Sequence, residues 1–484
     1  MKTLYLHIGQ QKTGTSAIQR FCVKNRGVFE GLGFEYPKMP FKYPFILRAR
    51  NGHFLVGTYK DAAGKHDAAL EAQWRAKGFE VLAQAFGRCD NVILSEERLW
   101  DYSGKSPDLF WGELVAHAQQ HGYEVKVIVY LRRQDQLALS WYNQMVKQGS
   151  TGTGDIPWER WIANPPNIQL DFYRVLERIS GRIGKQNVNV RVYDRAELER
   201  DGGNLYTDFL GCLGLRMEQG FEVPEEDKNS YSLTPNLLAI KCAVNASPHF
   251  TRGSGGFRRA AEACSSQPSD APRTSLFSPE EARAFLARYE EGNDRIAAVY
   301  LHREGPLFST AVAEVQKWSI DNPWMRDDLV GFFQQVNAWQ AAQVRKRAKA
   351  GEDAPAAGEP IDTTAWLAYL EDLPVAELGV YGYVSRCLGD LFIFRQSCTD
   401  QGVAINELDD ATIAYLVDML LTHARELEAL EGKKDMLQSS VDAASAELDA
   451  LKLQQRNSLA GKVRRAIADP SSAVRYMRRK VRGC

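Results

Sequence analysis

The segment Leu4–Arg20, LYLHIGQQKTGTSAIQR, concentrates groups that bind an anion. A β-rich run ends at Gly9, a short polar loop follows, and a helix opens near Ser16. Such a join aims backbone N–H groups and the positive end of the helix at one spot. Gly9 and Gly14 permit close backbone approach, Thr13, Thr15 and Ser16 add hydroxyl donors, and Lys12 adds a point charge. A tight turn with a solvated lysine would explain a lone G-x-x-K, but not the fitness of every position from Gly9 to Ser16. The order of residues also matters. A G-x-x-x-x-G-K-[ST] phosphate loop has its lysine after the second glycine, whereas Lys12 precedes Gly14.

The elements that must position this loop alternate between two periods. β-rich runs fall at Thr3–Gly9, Asn91–Ser95, Glu124–Leu131 and Asn187–Tyr193. Helical patterns fall between and after them, at Ser16–Lys24, Asp67–Phe86, Pro107–Gln120, Gln134–Gln148 and Gln169–Gly184. The continuous apolar run Val125–Leu131 suits a strand buried on both faces, and the alternation predicts a parallel sheet covered by helices. After Asn204 the pattern is mainly helical. Thr251–Arg259 and Ser265–Pro272, rich in Gly, Arg, Ser and Pro, read as a mobile loop, and helical patterning resumes at Ser278–Leu301. Ala348–Pro360 reads as a linker.

The loop GQQKTGTSAIQ resembles the 5′-phosphosulfate-binding loop of sulfotransferases that use 3′-phosphoadenosine 5′-phosphosulfate (PAPS). In that family a lysine three residues after a glycine is followed by T-G-T-[TS]. The resemblance implies a P-loop-like α/β fold. It also implies Lys12 at the phosphosulfate bridge, with backbone amides and hydroxyls around the 5′-phosphate. The family recognises the 3′-phosphate with an arginine at a strand end and a serine eight residues on; Arg132 and Ser140, in VIVYLRRQDQLALSWYNQ, match. An arginine fork with a hydroxyl is sound phosphate chemistry. Arg133 competes, but the spacing selects Arg132. Phe172–Leu198, Asn204–Leu215, Asn229–Leu238 and Ser278–Leu301 are similar to bacterial members acting on glycans, so the likeness covers about residues 1–310.

Sulfonyl transfer needs a base for the acceptor proton and cations for the leaving oxygen. Lys12 suits the second role. For the first, His53 in RNGHFLVG resembles a histidine of the bacterial members, and an imidazole suits base work near neutrality. Glu96 and Glu97 end a predicted strand, where ligands of parallel sheets collect. The family often reads S-S-E there, so Glu97 aligns with its glutamate and Glu96 replaces a serine. His53 ranks slightly above Glu97. The implied acceptor is a glycan or glycolipid. Lys38, Lys42, Arg48 and Arg50, interleaved with Phe41, Tyr43 and Phe45, suit an anionic or sugar-ring ligand or form a solvated loop. A P-loop kinase or nucleotide hydrolase is the alternative, as is an inactive coiled-coil adaptor.

Composition bounds the rest. A chain of 484 residues is too long for one compact core, and its formal net charge of −1 argues against a nucleic-acid binder. The eight cysteines are scattered and the histidines lack metal-ligand spacing, so no zinc site, disulfide framework or other metal is expected. No signal-peptide pattern opens the sequence and no apolar run reaches the roughly 18 residues of a membrane span, so a cytoplasmic location is expected.

The expected organisation is a transferase domain at 1–310, a helical extension at 311–347, the linker, a small helical segment at 361–412, a coiled coil at 413–455 and a basic tail at 456–484. Leu420, Leu427, Lys434, Val441 and Leu448 fit one heptad core position; His423, Leu430, Leu437, Ala444 and Leu451 fit the other. This predicts a homo-oligomer, though a helix folding back on its own domain would look similar. Arg456–Cys484 carries nine Lys or Arg against the single Asp469, with apolar residues at helical spacing broken at Pro470. It reads as two basic amphipathic helices giving peripheral contact with the inner membrane face, or as a solubilising tail.

Overall fold

The computed structural model describes every residue except 45, 61–64, 107, 150–151, 167, 200–202, 226–231, 248–254, 350–362, 372, 374–377, 401–407 and 469–484. Five strands form one parallel sheet: β1 (Lys2–His7), β2 (Phe34–Glu35), β3 (Asn91–Ser95), β4 (Tyr123–Leu131) and β5 (Val188–Val192), in the order β2-β3-β1-β4-β5. β1 is central, between β3 and β4, with Leu6 opposite Leu94 on one side and Val127 on the other. From β1 the chain runs outward to one edge and returns to build the other half. The carboxyl end of β1 is therefore a topological switch point, where open α/β sheets collect ligands.

Strand period places alternate side chains on opposite faces. Leu4, Leu6, Val127 and Val129 enter the larger core, against α2 (Ala68–Phe86) and α3 (Asp108–His121), through Leu82, Trp111 and Leu114. Ile93, Ile128 and Tyr130 face the smaller core, where Ile18 and Phe21 of α1 (Thr15–Lys24) pack. α4 (Gln134–Gln148) follows β4, α5 (Phe172–Ile183) precedes β5, and α6 (Leu205–Cys212) closes the smaller core through Phe209 and Leu210. The α/β expectation holds, and helix α4 and strand β3 have the bounds the sequence pattern predicts.

The later helices continue the larger core. These are α7 (Pro235–Asn245), α8 (Gly255–Ser265), α9 (Met325–Lys349), α10 (Gly379–Asp400) and α11 (Asp410–Ala468). Leu237, Phe257, Phe332, Leu388 and Val417, one from each, are buried in one cluster with the sheet. α8 corrects the reading of Thr251–Arg259 as a loop. Residues 251–254 lie outside the described residues, but a helix begins at Gly255 and buries Gly256, Phe257, Ala260 and Ala261. A Cβ on Gly256 would lie 2.4 Å from the Trp339 ring of α9, so this glycine permits close helix packing.

α11 corrects the seam's extent. Ile413, Val417, Leu420, Leu421 and Ala424 are buried in the chain's own core, whereas the side chains described from Leu430 onward are exposed. The helix runs unbroken to Ala468, through the start of the basic segment. The linker expected at 348–360 lies almost wholly outside the described residues, as do the tail from Asp469 and Phe45.

Candidate anion-binding and transfer site

The loop after β1 stays attached to β4: Ile8 N–H donates to Ile128 O at 3.0 Å, Gln10 N–H to Tyr130 O at 3.0 Å, and Tyr130 N–H to Gly9 O at 2.8 Å. Lys12 and Gly14 both take left-handed backbone, at φ 67° and 77°. Gly14 is the N-cap of α1 and has no side chain to cap it; its carbonyl accepts from Ala17 N–H at 2.9 Å and Ile18 N–H at 3.1 Å, which leaves the N–H groups of Thr15 and Ser16 at the open end of the helix. A Cβ there would lie 2.4 Å from Leu205.

The loop's hydroxyls divide their work. Thr13 Oγ1 is buried and donates to Gln10 O at 2.6 Å, bracing the loop from within, and Thr15 Oγ1 donates to Glu97. Two of the three hydroxyls expected to serve an anion, those of Thr13 and Thr15, thus have acceptors within the protein. The backbone, Lys12 and the Ser16 hydroxyl are the loop's other donors.

The two sequence motifs meet. Arg132 N–H donates to Gln10 Oε1 at 3.2 Å, and Arg132 Nη1 donates to the carbonyl of Lys12 at 3.1 Å. Lys12 Nζ donates to Gln144 Oε1 at 3.3 Å. Gln144 stands one helical turn beyond Ser140, and Lys147 follows on the same face of α4. Lys147 pairs with Glu262 of α8 at 3.0 Å. Burial, with Lys147 and Arg132 alongside, pulls the Lys12 ammonium down to about 8. Arg132 and Ser140 line one cleft of about 580 Å³, with Asn143, Arg273 and Ser275.

Arg133 is committed elsewhere. It grips Asp135 with two hydrogen bonds, at 2.7 and 2.8 Å, and also donates to Thr310 O. By contrast, Arg132 Nε, Gln10 Nε2 and Gln11 Oε1 are buried with no hydrogen-bond partner. Orphaned polar atoms are rare in native proteins and mark places where a ligand or water completes the bonding. Two of these three are donors beside the start of a helix and a lysine, a set that suits an anionic group.

Beyond the loop, β3 ends in two carboxylates with different surroundings. Glu97, partly exposed, accepts from Thr15 and lies 3.4 Å from Arg50 Nη1. Glu96 is fully buried. It accepts from Arg50 Nε at 3.0 Å, again from Arg50 Nη2, from Arg98 N–H at 2.9 Å and from His53 Nδ1 at 2.8 Å. Burial pushes the Glu96 carboxyl up, but Arg50 and His53 outweigh it and hold the group at about 2. An ionised carboxylate only accepts, so His53 Nδ1 carries hydrogen, and in the neutral ring Nε2 keeps its lone pair. The His53 ring lies edge-on to Tyr43 at 4.6 Å, and Tyr43 meets Trp74 at 4.8 Å. Trp74 also stacks on Phe41 at 5.2 Å and meets Tyr59 at 4.9 Å.

The structure thus joins Lys12, Thr15 and Glu97 at the loop, links Glu97 through Arg50 to Glu96 and His53, and brings Arg132 and Ser140 to the other side. Sequence reasoning missed Gln144, Lys147, Glu262 and Trp74. The spacing of Ser140, Gln144 and Lys147 on one helix face was the available signal for two of them. Among the described residues no group of three His, Cys, Asp or Glu side chains is placed to hold a metal. No described helix is long and apolar enough to cross a membrane.

This arrangement defines a parallel α/β protein with a candidate anion site at its switch point. No family model matches the chain. An uncharacterized protein of Archaeoglobus fulgidus is 27% identical over 188 residues, which are 36% of this chain and 45% of that protein, so the chain spans less than half of that relative's length. The crystal structure of a sulfotransferase from Alicyclobacillus acidocaldarius aligns with 54% of this chain and 95% of its own, at 14% identity and a TM-score of 0.29.

Proposed function

We propose that the chain is a sulfotransferase that moves a sulfonate group from PAPS to a hydroxyl or amine of a glycan or glycolipid. One observation carries the reading. Lys12, the open start of α1 and the orphaned Nε of Arg132 converge on one loop, with Ser140 in the adjoining cleft.

In this reading Gly9, Lys12, Thr13, Gly14, Thr15 and Ser16 form the phosphosulfate cradle, chiefly through backbone N–H groups and the Lys12 ammonium. Arg132 and Ser140 hold the 3′-phosphate. The bound donor supplies an electrophilic sulfur. Lys12 offsets the charge that gathers on the leaving bisphosphate oxygen as its bond to sulfur breaks. His53 Nε2 accepts the proton of the acceptor O–H or N–H as the new bond to sulfur forms, and Glu96 stabilises the imidazolium through Nδ1–H. Glu97, touching Thr15, is the alternative base.

The acceptor reading rests on the aromatic group beside His53. Phe41, Tyr59 and Trp74 are half-exposed, and Lys38, Lys42 and Arg48 are exposed nearby in sequence. Aromatic faces with flanking cations suit a sugar ring bearing an anionic substituent.

The test is a binding titration of adenosine 3′,5′-bisphosphate against ATP, with and without magnesium. Metal-independent preference for the bisphosphate is expected. Preference for ATP with magnesium would replace this reading with a kinase or hydrolase.

A further inference from the structure

We propose that the outer part of α11 pairs with the same segment of a second copy, antiparallel, about a two-fold axis at Ser439. The inner part is already occupied, since Ile413, Val417, Leu420, Leu421 and Ala424 are buried in the chain's own core, Leu427 is half-buried against it, and Asp418 pairs with Arg326 at 2.7 Å. Farther out, Leu430, Leu437, Val441, Leu448 and Leu451 stand between 52% and 68% exposed along one stripe. A heptad stripe of this kind is stable in water only when another helix covers it.

The occupant follows from matching the stripe to itself. With the axis at Ser439, Leu430 meets the partner's Leu448, Leu437 meets the partner's Val441, and the open side of the half-buried Leu427 meets the partner's Leu451. Every large aliphatic position then finds another. Lys434 falls opposite the partner's Ala444, whose small side chain leaves room for the lysine stem to reach solvent. The two irregular positions of the seam thus cancel.

The flanking charges agree. In the antiparallel register Lys433 faces the partner's Glu447 twice by symmetry, and no like charges meet. A parallel pair would stack Lys434 on the partner's Lys434, place Ala444 on the partner's Ala444, and set Glu426 against the partner's Glu431. Charges beside the seam set orientation in this way. A two-fold, self-complementary contact also closes on itself and stops at two copies.

The experiment uses the full chain. Sedimentation should give the mass of a dimer. An azide-bearing residue at Gln454, which leaves the eight cysteines untouched, carries a dye on each copy. In the antiparallel pair these positions lie about 45 Å apart, at about 1.5 Å of rise per residue. In a parallel pair they would sit about 10 Å apart. Lys433→Glu should weaken the dimer by about tenfold, and adding Glu447→Lys should restore it. A monomeric mass, a mass above two copies, a short dye separation, or no rescue by the double exchange would each overturn the proposal. Its failure would leave the transfer reading intact, because the seam lies outside the site.

Discussion

Lys12 carries the sharpest residue-scale test, because its charge is held by a depressed ammonium. Burial and the neighbouring cations lower it to about 8, whereas the unfolded chain would hold its proton to about 10.5. An anion binds the charged form, so affinity for adenosine 3′,5′-bisphosphate should hold steady around pH 7, where its phosphates are dianionic, and fall as pH rises through 8. Calorimetry across that range should show this in the wild type, and Lys12→Arg should remove the inflection. Lys12→Ala should abolish transfer, and near-normal turnover would end the proposed role. The two adjacent arginines separate cleanly. Arg132→Ala should weaken bisphosphate binding by roughly ten- to a hundredfold, the size of a lost charge-assisted contact. Arg133→Ala should instead lower stability by about 3–5 kcal/mol, because it strands Asp135 in a buried place. Equal effects on binding would undo the assignment. His53→Ala should reduce turnover while leaving bisphosphate affinity nearly intact, and if only Glu97→Ala does so, the base is Glu97.

Secondary elements were legible where local pattern suffices. The loop from Gly9 to Ser16 is a single run of sequence whose chemistry is written in consecutive residues, and the strand and helix around it follow from plain periodicity. The two-residue strand Phe34–Glu35 was not legible, since so short an edge has no period. Helix α8 was hidden by composition. Its glycines and arginines look like a loop, and only the contact of Gly256 with Trp339, across 83 residues of chain, explains them. The Arg50–Glu96–His53 group was hidden for the same reason, because its bonds span more than forty residues. Gly256→Ala tests the packing explanation. On an open helix face the change would gain up to about 1 kcal/mol from propensity. Against the Trp339 ring it should cost about 1–3 kcal/mol, as overpacking does. Chemical denaturation measures the sign, and bisphosphate affinity should not move. A stabilised variant would mean that α8 and α9 are less closely packed than the contact requires.

At the scale of the whole molecule, the sheet and the first helices hold the site, while α11 carries the chain away from it over 59 residues, about 88 Å at helical rise. Only its inner end belongs to the core. The outer end therefore answers to something other than folding of this chain, and its composition changes along its length. The aliphatic seam ends at Leu451, and the nine basic residues begin at Arg456. Near an anionic leaflet each added cation contributes about 1 kcal/mol, so a segment with this charge density should bind such a surface. Two copies joined through the seam would double that contact and raise apparent affinity without any new chemistry. Vesicle sedimentation tests it, comparing the full chain with one ending at Gln455 on neutral vesicles and on vesicles rich in phosphatidylserine. Binding is expected only for the full chain on the anionic vesicles, and it should weaken steeply with added salt. Equal binding by the shortened chain would place the contact elsewhere, and failure of the full chain at low salt would remove the membrane role. Neither result bears on Lys12, which lies in the loop at the far end of the chain's first strand.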